Sequence, residues 1–151
     1  MNLHLDWCSH KAAKYAVEHW HYSKRMPKSK LVKIGVWENN VFVGVVIFGL
    51  GANKSIVNQY NLNPQQGCEL VRIALNDHIS SVTKIVSIAM RLLKKHCPNT
   101  LLVVSYADPE EGHVGCIYQG GNWIYTGKTS DCKFPIIDGR MAHPRTLSLR
   151  I

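Results

Sequence analysis

The sequence predicts an α/β (α+β) fold: a mixed β-sheet with helices on both faces. Three observations predict it. Leu101 to Val104 is wholly apolar, as a strand buried on both faces should be. The amphipathic segment after Ser81 separates that strand from an earlier one, and a strand–helix–strand unit implies a parallel crossover. Ahead of the unit, two β-rich segments flank Asn39-Asn40, so antiparallel pairing lies beside the parallel pair.

Taken in order, Ser9 caps a first helix running to about His21. Ala13, Ala16, Val17 and Trp20 recur at helical spacing and form its buried face. Pro27 limits its continuation. Leu31 to Trp37 reads as a strand, and Asn39-Asn40 as a turn whose residues tolerate positive φ. Val41 to Phe48 is the returning strand. An irregular polar segment then lasts to Gly67.

Glu69 to Leu75 is the next strand, with Val71, Ile73 and Leu75 on one face and Leu70, Arg72 and Ala74 on the other. Ser80 or Ser81 caps a second long helix. Its apolar stripe is Val82, Ile85, Ile88, Ala89, Leu92 and Leu93, and Lys94, Lys95 and His96 sit in its last turn. Pro98 stops it. After the apolar strand come Ser105 to Pro109, a short helix around His113 to Gln119, and a last strand over Trp123 to Tyr125.

A chain of 151 residues fits one domain, spanning 1–151. At 46% hydrophobic and 19% charged residues it has the balance of a packed core, which excludes a disordered chain. No apolar run approaches the ~20 residues that span a bilayer. The start, Met1 to Asp6, does not read as a signal peptide, so a cytoplasmic protein with no membrane partner is expected. Cys8, Cys68, Cys97, Cys116 and Cys132 are widely spaced and include no Cys-x-x-Cys pair. Reduced thiols are therefore expected rather than a disulfide framework or zinc ribbon.

Eighteen Lys and Arg against ten Asp and Glu leave a formal charge of +8, which favours polyanions. Lys24, Arg25, Lys28, Lys30 and Lys33 crowd one stretch, and no acid lies between Glu18 and Glu38. Arg140, Arg145 and Arg150 follow Asp138 without an acid. Two basic clusters suit a nucleic-acid footprint better than general solubility does.

The element order resembles the GNAT-type acyltransferase fold, and local blocks narrow the likeness. They are His21-Tyr22-Ser23-Lys24-Arg25-Met26-Pro27, Lys33 to Glu38, Cys68-Glu69-Leu70-Val71-Arg72-Ile73-Ala74-Leu75 and Ser105-Tyr106-Ala107-Asp108-Pro109. Gly112-His113, Ile117-Tyr118-Gln119 and Gly121 to Gly127 continue the series. Together, and in this order, they resemble the Mom family of phage DNA-modification proteins. The resemblance implies conversion of the exocyclic amine of adenine in double-stranded DNA to a carbamoylmethyl derivative, which shields phage DNA from host restriction.

The same resemblance implies a site. His21 becomes a general base, its ordinary pKa lying near working pH. Tyr22 stacks on a base or donates a hydrogen bond. Ser23, Lys24, Arg25, Lys28 and Lys30 join it against DNA. Arg72 is a charge in an otherwise apolar strand; an ion pair with Glu69 or Asp108, or an anion in the cleft, would explain it. Asp108 and Ser105 follow the buried strand, where open α/β sheets place ligands. Tyr118 is a candidate general acid. Each has a plainer reading: a helix-end histidine, a packing tyrosine, a turn-capping Asp.

Acetyl-CoA or a related acyl-CoA is implied by the fold likeness, held at Ser80, Ser81 and Val82 by helix-terminal amides, although the family's glycines are absent there. His21, His113 and Asp108 also offer an iron site in principle. Two rival readings remain, an N-acetyltransferase for a protein or small-molecule amine and a non-catalytic basic DNA-binding protein. An RNA-modifying enzyme is a third.

Overall fold

The chain opens with a strand absent from the expected element order, β1 (Leu3–Trp7). Leu5 is its one buried residue, while His4, Asp6 and Trp7 are exposed, as suits the edge of a sheet. A computed structural model describes residues 2–107, 123–128, 136–137, 140–141 and 145–150 of the chain, the last three stretches and 124–128 as backbone.

Helix α1 (His10–Trp20) begins at Ser9, whose hydroxyl accepts the N–H of Ala12. Strands β2 (Leu31–Glu38) and β3 (Val41–Leu50) form the expected hairpin, with Asn39 at φ 51° and Asn40 at φ 67°. The segment read as irregular contains a one-turn helix, α2 (Lys54–Val57), and two 3₁₀ turns. Then come β4 (Gly67–Leu75), α3 (Val82–His96), β5 (Leu102–Ala107), β6 (Ile124–Lys128), β7 (Ile136–Ile137), β8 (Arg140–Met141) and β9 (Arg145–Arg150). The expected short helix over His113 to Gln119 lies outside the described residues.

Among the described residues seven strands make one sheet in the order β1-β2-β3-β4-β5-β9-β6, and β7 and β8 pair apart from it. Neighbours are antiparallel except β4 and β5, the parallel pair joined by α3. The basic tail, where no strand was expected, supplies β9 between β5 and β6. Its register sets Arg150 opposite Leu102 and Arg145 opposite Ala107.

Alternation along β3 sends side chains to two separate cores. Val45 and Ile47 pack with Ala13, Ala16 and Val17 of α1. Val46 and Phe48 pack with Ile85, Val86, Ala89 and Leu93 of α3. Each fully buried large apolar side chain of this kind contributes about 1.5–3 kcal/mol. Gly44, at φ 153°, has no room for a side chain, because a Cβ there would run into the carbonyl oxygen of Ala74.

The face assignment expected for β4 is corrected by a bulge. Ile47 pairs with Arg72 but Phe48 pairs with Leu70, leaving Val71 as an extra residue. Parity reverses across it. Cys68, Leu70, Ile73 and Leu75 belong to the α3 core, whereas Val71 and Ala74 pack toward α1. Leu70 and Ala74 are therefore on opposite faces, and Arg72 shares the α1 face with Glu69 and Val71.

Candidate active site

The parallel ladder between β4 and β5 has three register pairs, the last being Glu69 with Val104. Beyond it the strands part. Residues 70–75 of β4 remain paired with β3, and the next link across the gap is a side chain: Ser105 donates from Oγ to the Leu70 carbonyl at 3.4 Å. Ser105 is 1% exposed. The opening lies at the carboxyl ends of two parallel strands, the place where open α/β sheets hold ligands.

Arg72 ties the loop after α1 to β4, beyond the last residue that pairs with β5. Arg72 Nε donates to the carbonyl of Arg25 at 3.1 Å, and Nη1 donates to the carbonyl of Val71 at 2.8 Å. Both acceptors are backbone oxygens, so the positive charge is not neutralised by them. Among the described residues no carboxylate lies within 4 Å of Arg72; the ion pair offered as its explanation is not formed with Glu69. A guanidinium has five N–H donors in a planar fork, and donors not used on the backbone suit a planar anion.

Glu69 faces the same side. Burial pushes its carboxyl up, and the charge of Arg72 pulls it partly back. Sequence reasoning named Glu69 only as a partner for Arg72. An acid inside the apolar strand Cys68 to Leu75 was the signal that it belongs to the site in its own right.

His21 closes α1 and is buried, at 8% exposure. Its Nδ1 accepts the backbone N–H of Ser23 at 3.0 Å and lies 2.8 Å from Ser23 Oγ. A ring nitrogen that accepts an N–H carries no proton. The neutral ring therefore holds its hydrogen on Nε2, and His21 presents a donor there. To serve as a base at Nε2 it would have to give up the Ser23 bond. Its ring stacks on Tyr22 at 4.3 Å, and the tyrosine is half exposed.

The rest of the loop is a surface. Lys24, at φ 52°, turns the chain by donating its N–H to the His21 carbonyl at 3.1 Å. Ser23 Oγ accepts the N–H of Arg25 at 3.3 Å. Tyr22, Lys24, Arg25, Lys28 and Lys30 are all exposed. They are not one cluster. Arg25 is tied to Arg72, whereas Lys30 lines a pocket of about 430 Å³ with Leu50, Gln65, His96 and Thr100, beyond the amino end of β4. Asp108, Tyr118 and His113 lie outside the described residues.

Two of the three residues expected to hold a cofactor already make hydrogen bonds within the protein. The carboxylate of Glu38, at the end of β2, accepts the N–H of Ile79 at 2.9 Å and of Ser80 at 2.7 Å. The hydroxyl of Ser81 accepts the N–H of Lys84 at 3.2 Å, as the N-cap of α3. Val82 is the first residue of the helix. The Ser80 N–H holds the Glu38 carboxyl below the usual carboxylate range, with Ile79, the Ser80 side chain and His78 acting in the same sense against burial. Nothing local in the sequence tied Glu38 to this turn. An acid before Asn-Asn reads as surface.

Among the described residues no three His, Cys, Asp or Glu side chains are grouped to hold a metal, and two members of the expected iron set lie outside them. Cys8, Cys68 and Cys97 are free thiols; burial pushes Cys8 up to about 11 and Cys68 up to about 12. Among the described residues no helix is long and apolar enough to cross a membrane.

Comparison with known proteins gives a consistent result. The family model of the Mom protein family matches residues 2–150. A methylcarbamoylase of Escherichia phage Mu is 26% identical over 150 residues, covering 97% of this chain and 62% of the phage protein, so the chain spans less than two thirds of that relative. Among solved structures, an aminoglycoside 6'-acetyltransferase type Ii is similar at TM-score 0.63 and 10% identity, with 97% of this chain and 96% of that one covered. An aminoglycoside acetyltransferase in complex with coenzyme A and kanamycin is similar at TM-score 0.66 and 8% identity, with 99% and 95% covered. The fold is thus the GNAT-type acetyltransferase fold.

Proposed function

The chain belongs to the Mom protein family, and from that premise we propose that it is a transferase-like enzyme that modifies adenine in phage DNA. The acceptor is the exocyclic amine, the product a carbamoylmethyl derivative, and the benefit protection from host restriction. One observation carries the reading beyond the family: Arg72 ties the exposed basic loop to the opening between β4 and β5 through the Arg25 carbonyl. A surface suited to phosphates is thereby tied to the end of the sheet where the parallel pair parts.

On this reading Lys24 and Arg25 hold the DNA backbone with little sequence preference, supported by Lys28 and Lys30. The adenine leaves the duplex, since its amine is inaccessible in the stack. Tyr22 offers an exposed ring to stack against it. His21 acts as a hydrogen-bond donor through Nε2, and Arg72 holds an anionic or developing negative group. Asp108 and Tyr118 handle protons, as the family resemblance implies.

An acyl-CoA donor is implied by the fold. Ser80 does not fit its diphosphate in the arrangement seen, because its N–H, like that of Ile79, serves Glu38. No step is therefore assigned to that cofactor. The test is mass spectrometry of nucleosides from DNA of cells expressing the protein, beside an empty vector. A new modified deoxyadenosine that disappears with Arg72→Ala is the expected result. Unmodified DNA from folded protein would sink the proposal, leaving an acetyltransferase for another amine or a DNA-binding protein.

A further inference from the structure

Two successive amides before α3, those of Ile79 and Ser80, point at one place, and a carboxylate fills it. We infer that Glu38 is a resident anion that closes the diphosphate subsite of this fold, so that the donor of the transferred group is not anchored by a nucleotide diphosphate at α3. The inference deepens the donor side of the transfer proposed above, but stands on the geometry of Glu38 alone.

Each N–H carries one hydrogen. Ile79 spends its own on Glu38 Oε1 at 2.9 Å, with Oε2 at 3.2 Å, and Ser80 spends its own on Oε2 at 2.7 Å. A diphosphate would need those same hydrogens. It would compete with an acid already fixed in place, since Glu38 pairs with Leu3 on β1 and with Val41 on β3. A tethered ligand competes at a high effective concentration, whereas coenzyme A must come from solution. Glu38 is also buried, at 7% exposure, and a second anion on the same amides would meet its like charge. The hydroxyl of Ser81 accepts the N–H of Lys84 at 3.2 Å, as the N-cap of α3. The two amides that precede Ser81 are therefore occupied without a ligand. No glycine, which would let a phosphate approach the backbone closely, lies between His78 and Lys84.

The experiment is an amide-resolved NMR titration of the full chain with coenzyme A and, separately, with inorganic pyrophosphate. In the wild type the Ile79 and Ser80 amides are expected to stay unmoved up to millimolar ligand. In Glu38→Ala the same amides are expected to shift saturably, with affinity for pyrophosphate raised about tenfold or more. Should Glu38→Ala fail to fold, Glu38→Gln serves: it keeps the shape and removes the charge, and a smaller gain is expected. Saturable shifts of Ile79 and Ser80 in the wild type would overturn the inference. So would a folded Glu38 variant that gains no affinity for either ligand. Neither readout depends on whether adenine is the acceptor, so failure here and failure of the DNA-modification reading are separate events.

Discussion

The backbone N–H of Ser23 donates to Nδ1 of His21 at 3.0 Å, two residues away, and that bond decides which end of the imidazole carries the proton. The neutral ring should be the Nε2–H tautomer. Two-bond nitrogen–proton correlation spectra of the labelled histidine distinguish the tautomers directly. A population dominated by Nδ1–H would remove the donor role assigned to His21. Ser23→Ala retains the backbone bond and loses the hydroxyl, so it should cost only about 0.5–1.5 kcal/mol in stability and leave the tautomer unchanged.

Arg72→Lys preserves the charge but not the fork. A lysine ammonium cannot reach both the Arg25 and the Val71 carbonyls in the geometry that Nε and Nη1 provide. The loop should loosen from β4. We expect a stability loss of about 1 kcal/mol by thermal melting and a loss of modified adenine of about 10²-fold, the scale of a small misplacement at a reacting centre. Full modification by the lysine variant would show that charge alone suffices.

Lys24, Arg25, Lys28 and Lys30 are exposed on one loop, and each phosphate they neutralise releases a counterion. Replacing all four by alanine should reduce the steepness of DNA binding against salt by ~3 to 4 in the logarithmic slope, about 0.9 for each phosphate no longer neutralised. Because Lys30 lines a different pocket, its single alanine variant should change the slope least. An unchanged slope in the fourfold variant would place DNA elsewhere.

Two carboxylates should pull stability in opposite directions with pH. Glu69 is raised by burial, against the pull of Arg72, so its contribution is present below the unfolded pKa and is lost as pH rises through the folded one. Glu69→Gln should therefore gain on the wild type as pH rises from about 4 toward neutral. Glu38 is lowered, chiefly by the Ser80 N–H, so its contribution is present above the unfolded pKa and is lost as pH falls through the folded one. Glu38→Gln should lose most at neutral pH and converge with the wild type in acid. Melting curves of both variants from acid to neutral pH check the signs.

Local chemistry was enough to write down much of this protein. Ser9 and Ser81 cap the helices they precede, Asn39 and Asn40 take the positive φ their turn requires, and the stripe from Val82 to Leu93 packs as its spacing says. These features depend on residues a few positions apart, which is the range that propensity and periodicity read. The blocks around His21 and Arg72 were legible too, as a resemblance. Other features depend on segments far apart in the chain. The bulge at Val71 arises from pairing with β3 and reverses the face of half of β4. The basic tail becomes β9 because β5 and β6 both offer it an edge. Glu38 reaches Ile79 and Ser80 across 41 and 42 residues, and Arg72 reaches Arg25 across 47. Hydrogen bonds between distant segments leave no period or motif in either one, so the tie from Arg72 to the Arg25 carbonyl and the Glu38 carboxylate on the Ile79 and Ser80 amides came into view only once the sheet had brought their partners together.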